Sequence, residues 1–162
     1  GKIMKKWLLI SGMILVVALL TGCLTPKVNV AIKPNPIELT AETLWENDLH
    51  IKDIKLQLST SGFSTSYTIE GGIVAVVDED GEDVFEPFTF DIGATTIIVP
   101  GIKLEEEGPE VSLAPAFDYD GVFTKDSFIQ YYDENWKGKE LKLSVTIKGK
   151  NPTTGTAKIV FE

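Results

Sequence analysis

The chain has no arginine, because all 15 of its basic residues are lysines. A site that binds carboxylate or phosphate through a planar, bidentate guanidinium is therefore excluded. Histidine and cysteine each occur once, as His50 and Cys23. The sequence also lacks the Gly-x-Ser-x-Gly elbow, the phosphate-binding loop, the His-Glu-x-x-His pair and the dinucleotide-binding glycine pattern. Few groups remain that could act as a nucleophile or a general base.

His50 is not assigned the role of a general base. It lies between Leu49 and Ile51 on the polar side of an alternating segment, where a histidine is more often a surface residue than a general base. We assign no catalytic residue and favour a protein that is not an enzyme. The 24 carboxylates keep one alternative open, a carbohydrate-active hydrolase that uses two paired acids.

Residues 1–22 have the layout of a secretory signal peptide. Lys2, Lys5 and Lys6 form a basic start, and an uncharged apolar stretch follows over residues 7–20. A helix of that length spans about 21 Å, which is shorter than the roughly 30 Å hydrocarbon core of a bilayer. The stretch is therefore better suited to insertion and cleavage than to permanent spanning.

The end of this stretch, Leu20-Thr21-Gly22-Cys23, resembles the lipobox of bacterial lipoproteins, in which a leucine and two small residues precede a required cysteine. The resemblance implies cleavage between Gly22 and Cys23 and a diacylglycerol thioether on Cys23. Two or three acyl chains anchor a protein stably where one would be marginal. We therefore expect an extracytoplasmic protein, lipid-anchored to the cell membrane or outer membrane of a bacterium. The alternatives are an uncleaved anchor with a free thiol, and a signal peptide that is cut elsewhere.

The remaining chain is predicted to consist of a short lipidated tether, residues 23–27, and a single domain, residues 28–162. About 140 residues are enough to bury a sizeable core, and an acylated Cys23 leaves no thiol for a disulfide. After removal of the leader, 12 lysines face 24 carboxylates, a formal charge of −12. Such a field attracts neither nucleic acid nor anionic lipid, so the predicted membrane contact is through the lipid alone.

Short segments of alternating apolar and polar residues recur from Val28 to the end, and they predict eight to ten strands. Residues 48–59 are interpreted as one strand with a bulge at Lys52-Asp53. Gly71-Gly72 is interpreted as a sharp change of direction, and the acidic residues 105–109 as an exposed turn. Many short strands with few helices are typical of an antiparallel β-sandwich, immunoglobulin-like or of a related Greek-key type.

One segment departs from the strand pattern. Its apolar residues recur at helical spacing, Thr124 can cap the start and Gly138 the end, which predicts one short helix near 125–137. A single helical turn is also expected over Thr40–Glu46. Packing of the longer helix onto a sheet by Phe128, Tyr132 and Trp136 is the favoured explanation of its aromatic residues.

The acidic turn Asp78–Asp83 contains Asp80-Gly81 between two strand-like runs, a hairpin signal. Its carboxylates are the hard oxygen donors that calcium prefers, so Asp78, Asp80 and Asp83 are candidate calcium ligands. The order of residues does not match an EF-hand, and Asp-Gly serves hairpins for backbone reasons alone. We therefore favour a structural turn without a cofactor and keep calcium as the alternative.

Aromatic residues supply the other candidate site. Trp45, Tyr131 and Trp136 lie in or near irregular segments, where exposed rings would suit sugar rings or a protein partner. The favoured hypothesis is a lipid-anchored, non-catalytic binding or envelope-assembly module whose partner is an envelope protein or a carbohydrate. The alternatives are the hydrolase with paired carboxylates and a structural spacer subunit of an envelope complex.

Overall fold

The alternation of apolar and polar side chains is expressed directly in the strands. In Val28–Lys33 the two valines and Ile32 are buried and the residues between them are exposed. Glu140–Gly149 repeats this alternation through Leu141, Leu143 and Val145. Leucine and the β-branched residues pack well on a pleated, half-buried surface, so these segments form strands with one face toward the core.

The computed structural model describes residues 28–60, 65–91, 95–99, 104–118, 121–149 and 152–162, with 65–67 and 95–99 described by their backbone. The predicted signal peptide, Cys23 and the tether lie outside the described residues. The elements, with a 3₁₀ turn at Ala114–Ala116, are β1 (Val28–Lys33), β2 (Ile37–Leu39), α1 (Ala41–Glu46), β3 (His50–Ile51), β4 (Lys55–Thr60), β5 (Thr65–Val77), β6 (Phe88–Phe90), β7 (Thr95–Val99), β8 (Leu104–Glu107), β9 (Val111–Ser112), α2 (Lys125–Asn135), β10 (Glu140–Gly149) and β11 (Thr153–Phe161).

The strands form two larger sheets and one small ribbon. The first sheet has the order β1-β4-β8, and the second has the order β2-β11-β10-β5-β6, with β7 also paired to β5. The ribbon joins β3 and β9. The described pairs are antiparallel except β2 with β11, which is parallel.

The two larger sheets share one hydrophobic core. Val74 of β5 and Val145 of β10 are register partners and are fully buried, and Ile32, Leu58 and Ile159 belong to the same cluster. Each fully buried side chain of this size contributes roughly 1.5–3 kcal/mol relative to an exposed one. The fold is thus mainly β, an antiparallel β-sandwich, as predicted, and the immunoglobulin-like or related Greek-key type stays a prediction.

Strand β1 approaches β11 closely where the sheets meet. Thr153 Oγ1 donates a hydrogen bond of 3.2 Å to the carbonyl oxygen of Val28. A Cβ atom on Gly155 would lie only 2.7 Å from the carbonyl oxygen of Val30. Glycine at position 155 is therefore required by the close approach of the two backbones, and not by a turn.

Both predicted helical segments are confirmed, and each begins at a threonine cap. The Thr124 side chain accepts from the Ser127 backbone N–H at 3.2 Å, and the Ser127 side chain accepts from the Thr124 backbone N–H at 2.8 Å. Thr40 and Thr43 form the same reciprocal box at the start of α1. In the described part of the chain, neither helix has the length and apolar composition needed to cross a bilayer.

The interpretation of Gly71-Gly72 as a change of direction is wrong. Both glycines lie inside β5, which runs without a break from Thr65 to Val77. A Cβ atom at Gly71 would lie 2.2 Å from the carbonyl oxygen of Phe90, and one at Gly72 would lie 2.6 Å from its ring. The glycines make room for β6, and Gly71, at φ 128°, lies where the β5–β10 register shifts.

Two further predictions are corrected. Residues 48–59 are not one bulged strand, because β3 ends at Ile51, β4 starts at Lys55, and the two strands belong to different sheets. Asp53, at φ 61°, lies in the break between them. The acidic segment 105–109 is not simply a turn, because Glu107 ends strand β8 and forms an ion pair with Lys55 of β4.

Candidate functional site

The predicted aromatic residues belong to a cluster of rings built around α2. Phe128 and Tyr132 are fully buried and pack the helix onto the domain, as expected. Phe117, which follows the 3₁₀ turn, lies edge-on to Phe128, with ring centroids 5.5 Å apart, and to Trp136 at 5.2 Å. Trp136 in turn lies 5.2 Å from Phe161 of β11. The cluster therefore ties α2 to the end of the chain.

The three candidate ligand-binding aromatics are half-buried and occupy two places on this cluster. Tyr131 and Trp136 lie together beside Phe117, and the Trp136 indole N–H donates to the Tyr131 hydroxyl over 3.4 Å. Trp45, on α1, lies apart from them and rests on Phe128, with centroids 5.8 Å apart. The structure thus brings two of the three together and separates the third.

Tyr132 has a structural role in the cluster. Its hydroxyl lies 2.9 Å from the carbonyl oxygen of Leu39 and 2.8 Å from the backbone oxygen of Glu162, so one proton is shared between two acceptors. Burial, followed by the charges of Asp133 and Glu162, raises the pKa of Tyr132 to about 12. The hydroxyl is therefore a neutral donor at physiological pH and joins α2 to β2 and the end of β11.

A depression of about 290 Å³ lies beside α1 and is lined by Trp45, Asp48 and Leu49. Trp45 contributes an aromatic ring, Leu49 an apolar wall, and the exposed Asp48 a carboxylate. The sequence indicated Trp45, but Asp48 and Leu49 were missed as its neighbours. The only signal in the sequence was the polar Asn47-Asp48 pair between a helical turn and a strand.

His50 supports the segment next to this depression. Its Nδ1 lies 2.8 Å from the carbonyl oxygen of Asp48, so Nδ1 carries the proton and donates to it. The residue is half-buried in β3 and its register partner is Ser112 of β9. His50 is therefore engaged with its own chain segment, with a carbonyl and not a carboxylate as the orienting group.

A second and larger depression, of about 440 Å³, lies over one end of β10 and β11. Three acidic residues line it, Asp78, Glu79 and Glu140, and the paired-acid alternative would use this place. Glu140 Oε2 lies 3.2 Å from Lys158 Nζ, and Asp78 is engaged in the neighbouring turn. Two of the three carboxylates thus already have partners within the chain.

The candidate calcium residues Asp78, Asp80 and Asp83 lie on one tight turn, as the hairpin signal predicted. Asp78 Oδ1 accepts from the backbone N–H groups of Asp80 and Glu82 at 2.9 and 3.0 Å. Gly81 adopts φ 80°, which glycine accommodates without strain. Among the residues that the structure describes, no three histidine, cysteine, aspartate or glutamate side chains are grouped to hold a metal ion. Calcium binding stays a prediction.

Comparisons with known proteins place the chain in no family. The chain matches no protein-family model and no curated protein sequence. One solved structure that the chain matches is a CARDB domain from Pyrococcus furiosus, solved in complex with di-metal ions. The two are 10% identical over 85% of this chain and 96% of that domain, with a TM-score of 0.26. A similarity at this level carries no argument about function, and the metal ions belong to that domain.

Proposed function

We propose that the protein is a lipid-anchored, extracytoplasmic binding module of a bacterial envelope, without catalytic activity of its own. The observation that carries the proposal is the box Leu20-Thr21-Gly22-Cys23 at the end of a basic and apolar leader. In this proposal the leader is removed after Gly22 and Cys23 carries the lipid. Residues 23–27 tether the domain, which starts at Val28, to the membrane surface.

The charge of the domain supports attachment through lipid alone. A formal charge of −12 on residues 23–162 repels anionic headgroups, so the protein surface contributes no attraction to the bilayer. Two or three acyl chains on Cys23 would supply stable anchoring without it. Nucleic acid is disfavoured as a partner for the same electrostatic reason.

A binding role is supported by the half-buried aromatic rings, which offer contact area at low entropic cost. Trp45 borders the smaller depression, and Tyr131 and Trp136 form the second pair of rings. The proposed partners are an envelope protein or a carbohydrate. In contrast, Asp78 and Glu140 of the larger depression have partners in the chain, so no observation favours the hydrolase. Val122, at 92% exposure the one large apolar side chain that is exposed in the described ranges, does not make a patch typical of a spacer.

The proposal is tested by expressing the precursor in a bacterial host and separating membranes from soluble fractions. Wild-type protein should stay with the membrane after washing with high salt, because acyl chains hold it and charge does not. Cys23→Ser should abolish acylation and stop cleavage after Gly22, and both are measured from the mass of the amino-terminal peptide. Glu106→Gln, which changes one charge at an exposed position of β8, is the matched control and should fractionate like the wild type. Equal acylation in the Cys23→Ser variant would overturn the proposal.

A further inference from the structure

The depression beside α1 combines an open aromatic ring with an uncompensated carboxylate. We propose that it binds an organic ammonium ion, held over the face of Trp45 and against Asp48. The inference rests on the proposed binding role and adds a further ligand class to the envelope protein and the carbohydrate proposed there. It is carried by four observations: the available groups, the contrast with the second tryptophan of the domain, the fixed backbone, and the charge of the chain.

The first observation is that the polar groups of the depression are available. Trp45 is held from one side by Phe128, whose ring is tilted by 31° from it. Within the described residues, the Asp48 carboxylate has no hydrogen bond or ion pair, and the Trp45 indole N–H has no acceptor. A cation in the depression would thus meet a ring face and a carboxylate that need not first break other contacts.

The second observation is the contrast with Trp136, the other tryptophan of the domain. Lys139 Nζ lies 5.3 Å from the centroid of the Trp136 ring, within the range of a cation–π contact. Among the described residues no lysine lies over Trp45, and its neighbour is acidic. Trp136 receives its cation from the chain, whereas Trp45 is left to receive one from outside.

The third observation is that the backbone fixes the geometry of the depression. Asp48 and Leu49 adopt φ values of 51° and 61°, in the left-handed region that residues other than glycine seldom enter. The Leu49 N–H donates a hydrogen bond of 2.7 Å to the Leu44 carbonyl oxygen, and the Leu113 N–H donates one of 2.8 Å to the Leu49 carbonyl oxygen. Such strained positions persist only where surrounding contacts hold them, and they are frequent at ligand-binding sites.

The charge of the chain decides between ligand classes. A cation gains from the ring quadrupole of Trp45, from the Asp48 carboxylate and from the net charge of −9 over all 162 residues. A neutral sugar gains ring contact but nothing from that field, and an anion is repelled by it. The site therefore favours an ammonium group over a sugar.

The test is a titration of the full-length chain, in a non-ionic detergent, with choline chloride at constant ionic strength. The backbone amide resonances of Asp48 and Leu49 report binding. We expect saturable shifts with a Kd on the order of 10 mM, the range of one cation–π contact plus one screened ion pair. The neutral isostere 3,3-dimethylbutan-1-ol and glucose should bind at least about tenfold more weakly, because the cation–π and ionic attractions are lost.

Variants separate the two contacts. Asp48→Asn should weaken choline binding by about fivefold to tenfold, because asparagine tolerates the left-handed backbone but carries no charge. Trp45→Leu should remove saturable binding, whereas Phe85→Leu, a control at a half-buried aromatic residue that is not a candidate for ligand binding, should leave it unchanged. A circular dichroism spectrum of each variant checks that it is folded.

Three results would overturn the inference: no saturable shift in the wild type, equal binding of the neutral isostere, or unchanged choline affinity in Asp48→Asn. The mass of the amino terminus reports acylation of Cys23 independently of these titrations. An acylated protein that does not bind choline would therefore refute the ammonium site alone.

Discussion

Replacing Tyr132 with phenylalanine removes a hydroxyl that connects α2 to both β2 and the end of β11. The side chain is fully buried, and its hydroxyl lies 2.9 Å from the Leu39 carbonyl oxygen and 2.8 Å from the Glu162 backbone oxygen. The Leu39 carbonyl oxygen keeps a second donor, the Glu162 N–H at 2.8 Å, so in the variant only the Glu162 backbone oxygen loses the Tyr132 hydroxyl without this replacement. The packing of the ring is unchanged.

The magnitude follows from that count. A buried acceptor that loses its donor costs about 1–3 kcal/mol, and because the bond to the Glu162 backbone oxygen is only part-buried, we expect Tyr132→Phe to cost about 1–2 kcal/mol. For a domain of this size, such a loss lowers Tm by roughly 3–6 °C. The measurements are thermal and urea unfolding, in which the urea midpoint should fall with no change in the slope m.

Tyr131→Phe is the matched control, one residue away on the same helix. Tyr131 is half-buried, and its hydroxyl accepts a long hydrogen bond of 3.4 Å from the Trp136 indole N–H, so water can reach the side chain and replace part of what is lost. We expect less than half of the loss seen in Tyr132→Phe. Equal losses in the two variants, or no loss in Tyr132→Phe, would refute this account of the cluster.

Three further predictions follow from named contacts. Folding raises the pKa of Tyr132 from 10.0 to about 12, so the contribution of its hydroxyl to stability is complete below pH 10 and is lost as the pH rises from 10 to 12. The difference in unfolding free energy between wild type and Tyr132→Phe, measured by urea unfolding, should therefore narrow over that range. Gly155→Ala should destabilise the domain by at least about 2 kcal/mol in the same assay, because its Cβ would lie 2.7 Å from the Val30 carbonyl oxygen and the backbone must shift. A change below about 0.5 kcal/mol would contradict the close approach of β1 and β11. Asp78→Ala should cost about 1 kcal/mol of unfolding free energy, because the backbone N–H groups of Asp80 and Glu82 lose their acceptor, whereas Asp80→Ala should cost less than half of that. A Tm that rises with added CaCl2 in the wild type, but not in these variants, would instead favour the calcium site.

Local signals were sufficient where the structure is determined locally. The threonine caps, the helical spacing of Phe128 and Tyr132, and the alternation in β10 depend on residues a few positions apart, and the sequence predicted each of them. The hairpin at Asp80-Gly81 belongs to the same group, since its backbone requirement lies within the turn. These local elements were enough to predict the fold class.

The errors arose where distant residues decide the structure. Gly71-Gly72 has the composition of a turn, but the approach of Phe90 from another strand explains both glycines. The break at Asp53 separates strands of two sheets, and alternation alone does not distinguish it from a bulge. The depression is different, because its residues are only three or four positions apart. Asp48 and Leu49 come beside Trp45 through a left-handed backbone after α1, and no pattern in the sequence indicates that conformation.

The central claim, that the protein is a lipoprotein, is tested most directly by the mass of its mature amino-terminal peptide. The account predicts that the peptide starts at Cys23 and carries a diacylglycerol, with or without a third acyl chain, and that Cys23→Ser lacks both the lipid and the cleavage. An unmodified Cys23 on an intact leader, still associated with the membrane, would contradict the account and would indicate a membrane anchor that is not processed.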